Sequence, residues 1–169
     1  MLSYFDEKQR FGQWWVFVVP FLMLGITIFV TVQQLLYEQP VGNNPVPDSS
    51  IWILWVFSLG LLWFLWSFQL ITSINKKGIS VRVRPLLHKN FKWDNIDEMF
   101  IREYKPLREY GGYGIRYSKN GTAYNIKGKT GLQLVMKNGK RILIGTQRSK
   151  ELGDLIEKIK DPSTRENYI

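Results

Sequence analysis

Residues 11–37 and residues 49–75 are two runs of 27 residues without one Asp, Glu, Lys or Arg. Their centres, WWVFVVPFLMLGITIFVTV and IWILWVFSLGLLWFLWSFQLI, are almost wholly apolar. A helix of about 20 such residues crosses the ~30 Å hydrocarbon core of a bilayer, and both runs leave slack for tilt. A helix on the surface of a small soluble domain shows a polar face, and neither run has one. The sequence therefore predicts a transmembrane helical hairpin, with helix 1 over residues 11–37, a loop over 38–50 and helix 2 over 51–74. Pro20 is expected to kink the first span. A cleaved leader is not expected, because the first ten residues carry two acids and no A-x-A site follows the apolar run.

Basic residues set the expected orientation. Lys8 and Arg10 precede the first run, and Lys76, Lys77, Arg82 and Arg84 follow the second. The intervening EQPVGNNPVPDSS has no Lys or Arg. The positive-inside rule then puts both termini in the cytoplasm and the loop outside it. Residues 1–10 read as a cytoplasmic flank, 75–160 as a cytoplasmic domain and 161–169 as a frayed tail.

The charge is concentrated in that domain. From Lys76 onward there are 21 Lys and Arg against 10 Asp and Glu. Such a surplus faces an anionic surface or an acidic partner. There is no cysteine and one histidine, His88. Thiol chemistry is excluded, and neither a Ser–His–Asp arrangement nor a metal site can be argued. No catalytic residue, cofactor or metal is expected, and a membrane enzyme is the least favoured class. Nor is a small-molecule substrate expected, or nucleic acid, since no binding motif accompanies the basic charge.

From Ile74 onward the hydrophobic period changes to two. Ile79, Val81 and Val83 alternate with Ser80, Arg82 and Arg84, which predicts a half-buried strand ending at Pro85. Further strands are expected over 87–93 and 96–105. Two hairpins are expected around Asn120-Gly121 and Asn138-Gly139, each as a type I′ turn with positive φ at both central residues. Leu152, Leu155, Ile156 and Ile159 make one stripe at helical spacing, with Ser149 as N-cap and Pro162 as terminator. About seven strands and one C-terminal α-helix result. Curling the strands into an all-β barrel or orthogonal sandwich removes exposed edges, and the helix can cover an open end.

Three stretches carry a resemblance to a known family. They are Trp93 with Ile96, Tyr110-Gly111-Gly112-Tyr113-Gly114-Ile115-Arg116, and Ile144-Gly145-Thr146-Gln147-Arg148 before the helix. With them, residues 74–160 resemble the PH-like (pleckstrin-homology-like) domain of small bacterial membrane proteins. The resemblance implies a PH-like fold at a bacterial inner membrane. It implies no single function, since PH-like folds bind lipids, peptides and proteins alike.

The expected role is a non-enzymatic, membrane-anchored module that binds a protein partner or the anionic membrane surface. Lys76, Lys77, Arg82 and Arg84, taken to leave the bilayer together, are the expected contacts with lipid headgroups. Arg108, Tyr110, Tyr113 and Arg116 around the glycine-rich bend are the expected partner-binding edge. Trp55, Trp63 and Trp66 are the expected helix interface if the chain is instead a fixed accessory subunit of a larger membrane complex.

Overall fold

The computed structural model describes residues 3–12, 14–44, 47–165 and 168. The chain divides into two compact units, residues 11–67 and residues 1–10 together with 68–169.

The first unit holds two helices long and apolar enough to cross a membrane, Trp14–Leu36 and Asp48–Ser67. The earlier one opens as a 3-10 turn, Trp14–Phe17, continues as α1 (Val18–Thr31) and closes as a π-helical turn, Val32–Leu36. Pro20 sits in the first turn of α1, where a missing N–H costs little, and marks the change from 3-10 to α geometry. The second, α2 (Asp48–Ser67), is seven residues shorter at its end than expected. Residues 68–75 carry no charge and so merge with the apolar run in sequence. Their side chains alternate, however, with Leu70, Thr72 and Ile74 buried, and they form a strand. Between the helices Thr27 and Ser58, both almost fully buried, bring their hydroxyls to 2.9 Å. The Trp55 indole N–H donates to Thr31 Oγ1 at 3.0 Å, and Gln34 Nε2 to Asp48 Oδ1 at 2.7 Å. Residues 45 and 46 of the expected loop, and Gln13 before the first helix, lie outside the described residues.

The second unit is built, in its described residues, from two sheets, a 12-residue helix and shorter helical segments. One sheet has four strands in the order β1 (Ser3–Arg10), β2 (Gln69–Asn75), β3 (Gly78–Arg84) and β4 (Leu87–Lys92), all antiparallel. The N-terminal segment, expected to be a plain flank, is thus the first strand of the domain. It pairs with the strand that follows the helices, so the 57-residue helical unit is an insertion between two neighbouring strands.

The other sheet contains β5 (Ile96–Glu103), β6 (Gly114–Ser118), β7 (Gly121–Asn125), β8 (Thr130–Met136) and β9 (Arg141–Gly145), in the order β5-β8-β9-β7-β6. Among the described residues, nine strands in two sheets replace the expected seven. The β7–β9 pair is parallel, which a simple antiparallel meander does not contain. Ile101, Leu132, Ile144, Tyr124 and Ile115 stand in register across all five strands. A short helix, α3 (Pro106–Tyr110), links β5 to β6. The C-terminal helix α4 (Ser149–Lys160) lies over β5 and β8 with Leu152, Ile156 and Ile159 buried. Its N-cap is Arg148 rather than Ser149, and Arg148 pairs with Glu151 instead of capping. The tail begins as a helical turn, α5 (Pro162–Arg165); its residues 166, 167 and 169 lie outside the described residues.

Both Asn-Gly pairs mark hairpins, but not type I′ turns, because neither asparagine has a positive φ. At the second pair the Gly139 N–H donates to Met136 O at 2.8 Å and Met136 N–H to Lys140 O at 2.9 Å. Only the glycine is left-handed, at φ 78°. This is the three-residue hairpin with a glycine bulge, which twists the strands as well as type I′ does.

A polar seam ties β1 to the rest of its unit. Phe5, Glu7 and Gln9 point inward. Glu7 accepts from Thr146 Oγ1 at 2.6 Å and from the Gln147 N–H at 2.7 Å. Gln9 Nε2 donates to Gly145 O at 2.7 Å. Burial of a carboxylate is tolerated here because both its oxygens have partners.

Candidate functional site

The register of the four-stranded sheet fixes what its outer face presents. Directly paired residues share a face, and alternate residues change face. Four rows therefore run across the outer side. Arg10, Gln69 and Arg84 form one, and Lys8, Ile71, Arg82 and His88 the next. Asp6, Ser73, Ser80 and Asn90 follow, and Asn75, Gly78 and Lys92 make the last. Lys8, Arg10, Arg82, Arg84, His88 and Lys92 are all exposed.

The centre of this face is low because its residues are small. Ser73, Ser80 and Gly78 form a floor, and longer side chains stand around it. The result is a concavity of about 810 Å³ whose lining includes Lys76, Lys77, Arg82, His88 and Lys92, with Asp6 and Asp94 as its acids. Gly78 is required where it stands. It has φ 139°, and a Cβ there would lie 2.0 Å from Phe91 O, so β3 and β4 approach too closely for any side chain. The Asn75 Oδ1 accepts from the Lys77 N–H at 2.8 Å and shapes the turn that carries the two lysines. Ser80 Oγ and His88 Nε2 lie 2.8 Å apart. Among the described residues, ion pairs join Arg102 to Glu109 and Arg148 to Glu151, and none involves a cation of this face.

The four cations expected to leave the bilayer together are not together. The chain enters the helical unit just after Arg10 and leaves it just before Gln69, so Arg84 is the one next to the passage. Lys76 and Lys77 sit on the β2–β3 turn at the other end of the sheet, six residues or ~20 Å along β2. Arg10, expected only to set topology, shares a row with Arg84.

The glycine-rich bend forms where expected, and its residues divide into two groups. Gly111 ends α3 in the left-handed conformation at φ 70°. Arg108 and Arg116 are exposed, and Arg116 Nε donates to Tyr113 O at 2.9 Å. Tyr113 is half-buried, with its hydroxyl donating to Gly128 O at 3.3 Å. Tyr110, by contrast, is a core residue at 4% exposure, packed edge-on against Tyr104 beside Ala123 and Leu143. At that burial it offers no surface to a partner, and it packs α3 onto the sheet.

Arg102 joins three side chains, Glu109 at 2.9 Å, Gln133 Oε1 at 3.0 Å and the Tyr110 hydroxyl at 3.2 Å, and also donates to Glu103 O at 3.2 Å. Burial acts to raise the Glu109 pKa. The Lys105 N–H and the Arg102 guanidinium outweigh it and hold the carboxyl below its usual value. Burial pushes the Tyr104 hydroxyl up to about 12, against the opposing hydrogen bond from Asn125. These shifts follow from packing and pairing, and the groups are satisfied structural members.

In the helical unit the three tryptophans also separate. Trp55 is half-buried and bonded to Thr31 on the neighbouring helix. Trp63 and Trp66 are exposed and fall in one stripe with Trp52, Val56 and Leu59. That spacing of four and three residues keeps one helix face.

Among the described residues no three His, Asp or Glu side chains gather as a metal site needs. No curated protein and no solved structure matches the chain. A family model, however, matches residues 5–160, which takes in β1 from Phe5, both long helices, the other eight strands described and all of α4. The chain belongs to the family that this model describes, the family of unknown function DUF6141.

Proposed function

We propose that this chain is a non-enzymatic, membrane-anchored module. In this reading the two apolar helices cross a bacterial inner membrane as a hairpin, and the β unit is a PH-like domain on the cytoplasmic side. Its outer sheet face meets anionic headgroups, or a protein partner held there. The single observation that carries the reading is the Arg10–Gln69–Arg84 row, which sets two exposed guanidinium groups beside the passage into the helices. Each cation near an anionic surface contributes about 1 kcal/mol.

Two further features support it. β1 and β2 pair across the insertion, so both flanks of the helices belong to one folded unit and share one side of any membrane the helices cross. The flanks carry Lys8, Arg10 and Lys76 onward, and residues 38–50 carry no cation, which favours the cytoplasm for that side. For the PH-like assignment, the support is two sheets of mainly antiparallel strands with a C-terminal helix packed over one of them.

The absence of cysteine makes a topology test simple, since any introduced thiol is unique. Val41→Cys and Lys140→Cys, made singly, are exposed to a membrane-impermeant maleimide in whole cells. Labelling at 41 and protection at 140 are expected; the opposite pattern overturns the orientation. For the surface contact, the full chain is placed in nanodiscs with and without phosphatidylglycerol. Amide exchange in residues 82–86 is expected to slow with the anionic lipid and to lose that response in the Arg10→Glu, Arg84→Glu pair. Exchange that ignores the lipid sinks the proposal.

The exposed stripe of Trp52, Trp63 and Trp66 favours a second reading, an accessory subunit of a larger membrane complex. Co-purification of one membrane protein at constant stoichiometry, lost in Trp63→Ala with Trp66→Ala, is its expected mark. A free monomer in mild detergent counts against it.

A further inference from the structure

We propose that the concavity on the outer face of the β1–β4 sheet is a binding site for a phosphomonoester, with Ser80 at its floor and Arg82, Lys92, Lys76 and Lys77 as its cations. This goes beyond the headgroup contact at Arg10 and Arg84, because the site occupies the other three rows of the face and has a shape of its own.

The register explains why the site is a hollow. Ser80 stands between Ser73 and Asn90 in one row, and Gly78 occupies the next row on the same strand. Arg82 and Gly78 each lie two residues from Ser80, or ~7 Å along β3. Lys92 is paired with Gly78 and rises beside a residue with no side chain. Arg82 and Lys92 therefore flank the floor from opposite sides, within the reach of their long side chains. The β2–β3 turn brings Lys76 and Lys77 to the open end.

The charge count selects an anion. Four cations line the hollow against two carboxylates, those of Asp6 and Asp94, and none of the four has an ion-pair partner among the described residues. Like charges gathered around a concave floor repel one another and focus a positive potential into it. A compact dianion relieves that repulsion at several cations at once, which a single carboxylate cannot do.

The neutral groups select an acceptor-rich head. The Ser73 hydroxyl, the Asn90 amide and one member of the hydrogen-bonded Ser80–His88 pair can donate to phosphate oxygens between the charges. Arg82 supplies a planar fork suited to two such oxygens, and the lysines act as point charges. Ile71, beside Arg82 in its row, gives the body of the ligand one apolar contact. The ester can come from a soluble metabolite or from the headgroup of phosphatidic acid; both present the same dianionic head.

The full chain in phosphatidylcholine nanodiscs is dialysed against radiolabelled inorganic phosphate and, separately, glycerol 3-phosphate. Saturable binding that chloride at equal ionic strength does not displace is expected. Arg82→Gln and Lys92→Gln should each weaken it about tenfold or more, the size of one charge-assisted hydrogen bond. Ser80→Leu, which fills the floor, should abolish it, while Lys119→Gln, exposed on the other sheet's β6–β7 turn, leaves it unchanged. Unaltered thermal unfolding of each variant excludes loss of fold. A second set of nanodiscs containing phosphatidic acid identifies the source. Protection of Lys76 and Lys92 from acetylation there, with no binding of the soluble esters, assigns the site to the lipid headgroup. Absence of both signals, or binding that survives Arg82→Gln with Lys92→Gln, overturns the proposal. The Arg10 and Arg84 exchange test can fail or succeed independently of either result.

Discussion

The Thr146 hydroxyl donates to the Glu7 carboxylate at 2.6 Å, across 139 positions of sequence that include both long helices. Glu7 is 4% exposed, and its other oxygen takes the Gln147 N–H. The bond joins the strand before the helical unit to the junction of β9 and α4.

Glu7→Ala should therefore destabilise the β unit by roughly 1–3 kcal/mol, the cost of stranding the buried Thr146 hydroxyl and the part-buried Gln147 N–H. Lys8→Ala, on the exposed side of the same strand, should stay within about 0.5 kcal/mol. Denaturant unfolding of the full chain in detergent, followed by near-UV circular dichroism, measures both. A cycle with Thr146→Val should show positive coupling, since each substitution removes the same bond. Equal effects of Glu7→Ala and Lys8→Ala would show that the seam contributes nothing.

The tyrosine cluster gives a pH dependence. Burial raises the Tyr104 hydroxyl to about 12 and pushes Tyr110 and Tyr124 in the same direction. Above pH ~10 the unfolded chain releases these protons while the folded chain keeps them. Stability from this source is complete below that pH and is lost as pH rises towards 12, on the order of 2 kcal/mol for Tyr104. Phenolate absorbance should show a late-ionising component that Tyr104→Phe removes. Titration of all tyrosines in one step near their ordinary value would refute it.

Some of this fold is legible in the sequence because single residues decide it locally. The α4 stripe, the alternation in β3 and the glycine bend at 110–114 all need only near neighbours. β1 is hidden because two of its inward residues, Glu7 and Gln9, are polar, and their partners lie 136 to 140 positions away. β2 is hidden because Gln69 to Asn75 carries no charge and so extends the apolar run before it. The concavity follows from the pairing of four strands, which puts small residues in the middle. Nothing in a linear reading sets Lys92 opposite Gly78 or Arg84 beside Arg10. Tyr110 was misplaced for a related reason, since a tyrosine in a glycine-rich bend reads as exposed until Tyr104 and Leu143 are found packed on it.

Gly78 makes a prediction of the opposite kind to Glu7, one of excess rather than loss. A Cβ at this position meets the Phe91 carbonyl oxygen at 2.0 Å, and the backbone φ of 139° disfavours any L side chain. Gly78→Ala should cost on the order of 1–3 kcal/mol through strain and separation of β3 from β4. Gly25→Ala, in open space on α1, should be neutral or slightly stabilising. Exchange of β4 amides should rise in the first variant alone. A Gly78→Ala protein as stable as the parent would contradict the close approach of these strands.

The hydroxyl pair between the long helices closes the set. Thr27 and Ser58 lie 2.9 Å apart with almost no exposure, and Thr27 also donates to Met23 O at 2.9 Å within its own helix. In the bilayer setting proposed above, apolar burial gives helices no net drive to associate, so packing and such bonds must hold them together. An interhelical bond of this type contributes about 0.6 kcal/mol, because the separated helices also find partners for their hydroxyls. Thr27→Val and Ser58→Ala should thus be non-additive, with a coupling near that value in a reversible unfolding assay in mixed micelles. Ser58→Leu should do more harm than either, since it forces the helices apart at a buried polar contact. It should also free the Trp55 indole from Thr31, which the emission of a variant retaining Trp55 alone reports as a red shift if the ring becomes wet. Strict additivity of the two small substitutions, together with a harmless Ser58→Leu, would mean that the two helices do not pack through this face.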